Sequence, residues 1–287
     1  MKVLVLGGTG TVGSQVVNQL LSNNVQVRVL TSSAEKAAKI TNGAEAVVGN
    51  LSDKNTLSEA FKGVDGLFLL NAVAENETEQ GLNAVEMAKA NNIKKIVYLS
   101  VFDLEKGSNI PHFATKAPIE QAIKDTKIPY VILRPNNFYQ NDYWFFEVIK
   151  GYKMYPQPIG SLGMTRVDVR DIADAAKNAF ASSEFDNDTY PMNGPDKLNA
   201  EKTCEIYSQK LGHAINYMGS DLVAWAEANK PYLPQWMIHD FSIMYKYFQE
   251  HEFNASPAEM EKQLKIVGHA PRTFEAFVDE ILPMIKG

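Results

Sequence analysis

Met1-Lys-Val-Leu-Val-Leu-Gly-Gly-Thr-Gly-Thr-Val-Gly13 is the stretch whose reading decides the fold. Val3 to Leu6 is a continuous apolar run, the pattern of a strand buried on both faces of a parallel sheet. The run stops at glycines, and Val12, Val16, Val17, Leu20 and Leu21 then recur at helical spacing. Strand, tight glycine turn and helix form the setting that a dinucleotide fingerprint needs. In that setting Gly7 lets the chain turn sharply, Gly10 lets the backbone approach a pyrophosphate, and Gly13 lets the helix pack closely on the strand. The start of the helix, at Thr9, Thr11 and Val12, offers phosphates unpaired N–H groups and a partial positive charge.

The rest of the composition narrows the field. With 287 residues the chain can bury a large core, in one big domain or two unequal ones. A formal charge of -6 disfavours a nucleic-acid partner, because phosphate binding depends on clustered Lys and Arg. No apolar run approaches the roughly 20 residues that span a bilayer, so no membrane partner is expected. The chain opens directly on a fold strand, without a signal-peptide pattern. Cys204 is the single cysteine, which excludes an intramolecular disulfide or a cysteine metal cluster. A cytoplasmic location is the expectation. No HExxH, GxSxG or Walker pattern occurs, so no metal site, serine hydrolase or P-loop is expected.

Moving outward, Val25 to Leu30 reads as the second strand. NAD-type folds place Asp or Glu about 20 residues after the glycines, against the adenosine ribose. Here that place holds Thr31, Ser32 and Ser33, followed by Lys36, and Glu35 lies past the tip. Hydroxyls with a nearby cation accept a 2′-phosphate, so NADP(H) is favoured over NAD(H). Ser32 and Ser33 can instead cap the next helix. Arg28 lies within the strand. Ala46 to Val48 is a short third strand leading to Asn50 and Leu51, placed to border the adenine, with Asp53 as a helix cap. Gly66 to Leu70 is a fourth strand, ending at Asn71 and Ala72. Gly81 to Asn91 reads as helix, with Leu82, Val85, Met87 and Ala88 facing inward. Lys95 to Ser100 is a fifth strand, with Ser100 at its carboxyl end.

The glycine turn, the Gly49–Asp53 segment, Lys116-x-x-x-Glu120, Leu133-Arg-Pro-Asn-Asn-Phe138 and Val167-Asp-Val-Arg-Asp-Ile-Ala173 together resemble the NmrA-like group of atypical short-chain reductases. That group includes bacterial NAD(P)H:quinone oxidoreductases and, more distantly, isoflavone reductases. The glycines fit both Gly8-x-Gly10-x-x-Gly13 and the wider Gly7-x-x-Gly10-x-x-Gly13, and the latter looks more like this group. Better-known relatives use Tyr-x-x-x-Lys, in which the tyrosine moves a proton and the lysine holds the nicotinamide ribose. Here Lys116 matches the lysine and His112 stands at the tyrosine position; no tyrosine in the chain is followed four residues later by lysine. His112 could donate a proton itself, or simply begin a helix. Lys116 is read either as a ribose-binding residue or as a helix lysine paired with Glu120. By the same resemblance Pro135 and Asn136 would present backbone groups to the nicotinamide, and Phe138 would pack beside its ring. Arg134 is expected in a buried ion pair, with Asp168 or Asp171.

The resemblance implies a Rossmann-type α/β fold: a doubly wound parallel sheet with a smaller, mostly helical C-terminal part. Residues 1–150 form the dinucleotide-binding domain, to which 164–192 return; 151–163 and 193–287 form the substrate part. Aromatic groups from Tyr139 to Tyr155 and from Trp225 to Phe248 supply core and suit a pocket for a small, flat, apolar substrate. Asn199 is read as the cap of a helix that stops at Gly212, and Ser256-Pro-Ala-Glu259 as a capping box. The implied activity is NAD(P)H-dependent hydride transfer to a quinone-like or other electrophilic acceptor, which can take its proton from water. A non-enzymatic dinucleotide-binding redox sensor is the first rival, and a nucleotide-sugar epimerase the second. The aromatic segments suit a subunit interface equally well, so the oligomeric state stays open.

Overall fold

The computed structural model describes residues 1–40 and 43–286; Thr41, Asn42 and Gly287, all within the ranges assigned above, lie outside the described residues. The strands are β1 (Lys2–Val5), β2 (Gln26–Thr31), β3 (Glu45–Val48), β4 (Gly66–Leu69), β5 (Lys95–Leu99), β6 (Tyr130–Pro135), β7 (Met154–Tyr155), β8 (Asp188–Met192) and β9 (Asn216–Tyr217). The helices are α1 (Thr11–Ser22), α2 (Ala34–Ala38), α3 (Lys54–Phe61), α4 (Glu77–Ala90), α5 (Pro111–Ala114), α6 (Lys116–Asp125), α7 (Phe146–Tyr152), α8 (Val169–Ala181), α9 (Ala200–Leu211), α10 (Leu222–Asn229), α11 (Gln235–Glu250), α12 (Pro257–Val267) and α13 (Phe274–Lys286). A 3-10 turn at Tyr139–Phe145 precedes α7.

Seven strands form one parallel sheet in the order β3-β2-β1-β4-β5-β6-β8. The direction of winding reverses between β1 and β4, and ligands of doubly wound sheets bind at the carboxyl ends beside such a reversal. This is the Rossmann-type α/β fold expected from the first thirteen residues. The apolar runs read as strands are buried throughout in β4 and β5 because helices cover both faces. On one face Val16, Val17 and Leu20 of α1 pack with Ile172, Ala176 and Phe180 of α8 and with Ile266 of α12. On the other, Leu57 and Phe61 of α3, Ala84 and Val85 of α4 and Ile119 of α6 fill the gap. Each of the Val, Leu, Ile and Phe side chains among them contributes about 1.5–3 kcal/mol by leaving water.

A third core lies outside the sheet, built from Tyr155, Tyr207, Phe248, Phe253, Phe274 and Phe277, together with Phe102 and Phe113 from the segment after β5. At its centre Arg166 and Asp142 are both fully buried and pair at 2.7 Å. The Tyr207 hydroxyl donates to Asp142 at 2.9 Å and the Tyr155 hydroxyl at 3.2 Å, which ties α9 and β7 to the 3-10 turn. Among the described residues no helix is long and apolar enough to cross a membrane.

Local signals hold where they are local. Ser33, Asp53 and Asn199 cap α2, α3 and α9. Ser256 and Glu259 form the capping box of α12, and Gly212 ends α9 at φ 78°. Two readings need correction. The fourth helix begins at Glu77 rather than Gly81, and Leu82 is exposed. The aromatic groups also divide: Tyr139, Tyr155, Tyr247 and Phe248 are core, whereas Trp144, Tyr152 and Tyr232 face solvent.

Candidate functional site

The glycine turn sits at the carboxyl end of β1, beside the winding reversal. Gly7 adopts φ 69°, a conformation that glycine reaches without strain. A Cβ on Gly13 would lie 2.1 Å from the Gly7 carbonyl oxygen, so α1 can approach β1 only with glycine there. A Cβ on Gly10 would meet only that oxygen, at 3.4 Å, and otherwise open space above the turn. Helix α1, like α6 and α11, has no side-chain cap and no acid in its first turn. Its first N–H groups and its positive dipole end are therefore left for an anion. Thr9, Gly10 and Thr11 are exposed, and a cleft of about 320 Å³ lies against Thr11, Ser14 and Gln15.

Two buried polar side chains on the neighbouring strand ends have no partner. Thr31, at the end of β2, buries an Oγ1 without a hydrogen bond. Asn71, just beyond β4, is 6% exposed and leaves both amide atoms unpaired. Leu70 packs on the Gly7 turn, so Asn71 stands beside it. A buried orphan of this kind costs about 1–3 kcal/mol, and a ligand that satisfies it recovers that cost. Uncapped amides, an open turn and orphaned hydroxyl and amide groups are what the phosphates and ribose of a dinucleotide require, so this edge of the sheet fits such a cofactor.

At the tip of β2, Ser32 and Lys36 are exposed, and the Ser33 hydroxyl accepts from Lys36 N at 3.2 Å. Arg28 points away: it pairs with Glu45 at 2.9 Å and donates to the Ala60 carbonyl at 2.9 Å. Asn50 and Ala72 are exposed, while the Leu51 carbonyl accepts from Asn83 at 3.0 Å.

The residues nearer the expected chemistry are arranged differently from their sequence reading. Lys116 is buried, and its ammonium pairs with the wholly buried Glu77 of α4, not with Glu120. The Thr115 hydroxyl donates to the other Glu77 oxygen at 3.0 Å. Glu120 instead accepts from Ser100 Oγ at 2.6 Å and from Arg134 at 2.8 Å. Arg134 also binds Glu105, so its expected partners Asp168 and Asp171 are not the ones it has. Burial opposes the Arg134 charge, but the two glutamates outweigh it and hold the guanidinium above its ordinary range; Arg134 in turn holds Glu105 below its own. Asp168 caps α8 and binds Arg170, while Asp171 binds Arg272. Burial, with Glu77 and Glu120 close by, pushes the unpaired Tyr98 phenol well above its usual range, so it stays neutral.

His112 is 9% exposed and faces α11: its backbone N–H donates to Asp240 at 3.0 Å and its Nδ1 meets the other Asp240 oxygen. The Pro135 carbonyl accepts from Phe102 N at 2.9 Å, and Asn136 N donates to Met192 at 2.9 Å. The Asn136 amide turns into the third core, donating to the Phe253 carbonyl at 2.8 Å. Its neighbour Asn137 keeps a buried, unpaired Oδ1. Phe138 is half-buried against the core of α1 and α8. The glycine turn, Thr31 and Asn71 are thus brought together; Asn136 and the Ser100 hydroxyl are engaged elsewhere.

Glu77, Asp240 and Asn137 were missed in the sequence. Glu77 looks like surface charge among Glu75 and Glu79. Asp240 did carry a signal, since it is a lone acid between Ile238 and Phe241.

A family model described as the NmrA-like family matches residues 1–278. The prestalk A differentiation protein A of Dictyostelium discoideum is 28% identical over 302 residues, covering 100% of this chain and 94% of that one. The NADPH complex of an NADPH-dependent quinone oxidoreductase from Escherichia coli superposes with a TM-score of 0.83, at 18% identity over 98% of this chain and 99% of that one. The NADP(H) complex of a Citrobacter triphenylmethane reductase gives 0.85, at 20% identity over 97% and 99%.

Proposed function

We propose that this chain, which belongs to the NmrA-like family, is an NAD(P)H-dependent reductase that passes hydride to a small, flat electrophile of the quinone class. The observation that carries the reading is the orphaned Asn71 amide beside an uncapped, acid-free glycine turn. Thr9, Gly10, Thr11 and Val12 would take the pyrophosphate, Asn50 and Leu51 the adenine, Asn71 and Ala72 the central part, and Lys116 the nicotinamide ribose. Thr31, Ser32 and Lys36, with no carboxylate at the strand tip, favour the 2′-phosphate of NADP(H). The NADP(H) complexes of the structural neighbours support that preference. The bound dinucleotide would supply the hydride; the protein would orient it and exclude water.

The reading is tested by NADPH and NADH oxidation with purified protein and a quinone panel. Quinone-dependent oxidation, faster with NADPH, is expected; oxidation with neither cofactor would overturn it. A narrower test uses Asn71→Ala. Because the amide has no partner, the ligand-free melting temperature should hold or rise slightly, while NADPH affinity falls about tenfold for a lost hydrogen bond. A lower melting temperature with unchanged affinity would remove Asn71 from the site.

One observation favours a second reading, a dinucleotide-binding sensor without turnover: the tyrosine of Tyr-x-x-x-Lys is missing, and Lys116 is held by the buried Glu77. Saturable binding of oxidised and reduced cofactor with no acceptor reduction would establish it.

A further inference from the structure

His112 and Asp240 are 128 residues apart and join two parts of the molecule. His112 lies in the first turn of α5, at the carboxyl edge of the sheet; Asp240 lies in the middle of α11, in the third core. Asp240 is 4% exposed, and its helix neighbours Ile238, Phe241 and Met244 are apolar. The imidazole is edge-on to Phe113, at 4.8 Å between ring centroids, and to Phe241, at 5.7 Å. A carboxylate is costly in such a place unless something holds it, and both its oxygens are used on one residue. One accepts the His112 backbone N–H, which fixes the carboxylate plane; the other faces Nδ1. That oxygen can only accept, so Nδ1 carries the proton and Nε2 is the nitrogen left for other work. Nε2 has no hydrogen-bond partner among the described residues. Four residues on, at the start of α6, Lys116 pairs with Glu77.

A clamp between two lobes needs no titratable ring. A carboxylate that fixes Nδ1–H and compensates an imidazolium, with Nε2 left unpaired in an aromatic niche, is the arrangement of an oriented proton donor. We infer that His112 delivers the proton that completes acceptor reduction, and that Asp240 is the positioning residue that keeps Nε2 turned to the acceptor. This rests on the reductase reading above. A quinone that gains a hydride, two electrons and one hydrogen, becomes a hydroquinone monoanion. Its phenolate oxygen then bonds to the Nε2 proton of the imidazolium, the Nε2–H bond breaks to leave the Nδ1–H neutral imidazole, and that imidazole takes a proton from water, releasing hydroxide. A flat acceptor suits the niche because Phe113 and Phe241 flank the ring that donates.

The test compares two acceptors. A quinone needs both hydride and proton, whereas a triarylmethane dye cation becomes neutral on hydride addition alone and needs no proton. Asp240→Asn and His112→Gln are assayed with both, with NADPH binding measured by fluorescence. The ratio of quinone turnover to dye turnover should fall about 100-fold in each variant, the lower end of general-acid contributions, with little change in quinone KM. In the ligand-free wild type the Nδ1 proton should give a downfield NMR resonance, and Asp240→Asn should abolish it. An unchanged ratio, whether both rates fall together or neither does, would overturn the inference and leave His112–Asp240 as a clamp. Wild-type protein that binds NADPH but reduces neither acceptor would overturn the reductase reading itself, whether or not the NMR resonance is present.

Discussion

Lys116→Met is expected to destabilise the protein by about 3–5 kcal/mol, the usual cost of leaving a buried charge without its partner. Glu77 is fully buried, and apart from the Lys116 ammonium its carboxylate accepts from one hydroxyl, that of Thr115 at 3.0 Å. Domains of this kind are stable by only about 5–15 kcal/mol, so such a loss should be plain in a denaturant titration. The double variant Lys116→Met with Glu77→Gln removes both charges and keeps the Thr115 bond. It should recover most of the stability. It should not recover turnover or NADPH affinity, because the proposed ribose contact is still missing. Restored turnover in the double variant would make Lys116 a structural residue only.

Gly13→Ala and Gly10→Ala should separate folding from binding. At Gly13 the new methyl would lie 2.1 Å from the Gly7 oxygen and 2.8 Å from Gly8 Cα, backbone atoms that cannot swing aside. Helix α1 must then lift from β1, at a cost of about 1–3 kcal/mol or more for an overpacked contact, and the amides that would hold the pyrophosphate move with it. Both melting temperature and NADPH affinity should fall, the affinity by at least about 100-fold, or about 2.7 kcal/mol. Gly10 has φ -89° and ψ 178°, which alanine adopts freely, and its nearest neighbour would be 3.4 Å away. Gly10→Ala should melt like the wild type yet bind NADPH far more weakly, because its methyl fills the approach to the turn. Wild-type affinity in that variant, measured by fluorescence titration, would place the phosphates elsewhere.

What was legible in the sequence follows from range. The β1–turn–α1 unit could be read because its causes lie within a few residues: burial on both faces, three glycines, then helical spacing. The caps Asp53, Asn199 and Ser256 were legible for the same reason. Ion-pair partners were not. Lys116 and Glu120 have helix-pair spacing, but Lys116 turns toward α4 and Glu77, while Glu120 turns toward β6 and Arg134. Asp168 and Asp171, the expected partners of Arg134, serve Arg170 and Arg272. In the sequence Asn136 reads as a crevice residue and Asn137 is not singled out; a turn at the end of β6 sends the Asn136 amide into the third core and leaves the Asn137 oxygen unpaired. Spacing places residues on a face of their own element, and only the packing of separate elements chooses the partner.

The central claim is hydride transfer from a dinucleotide held on the glycine turn. Its most direct test mixes stoichiometric protein and NADPH with a quinone, without oxygen, and repeats the reaction with NADPH deuterated at the transferable nicotinamide position. The account predicts single-turnover oxidation that needs the acceptor, slows on deuteration and leaves the deuterium no longer in the cofactor. Tight NADPH binding with no oxidation by any acceptor would contradict it.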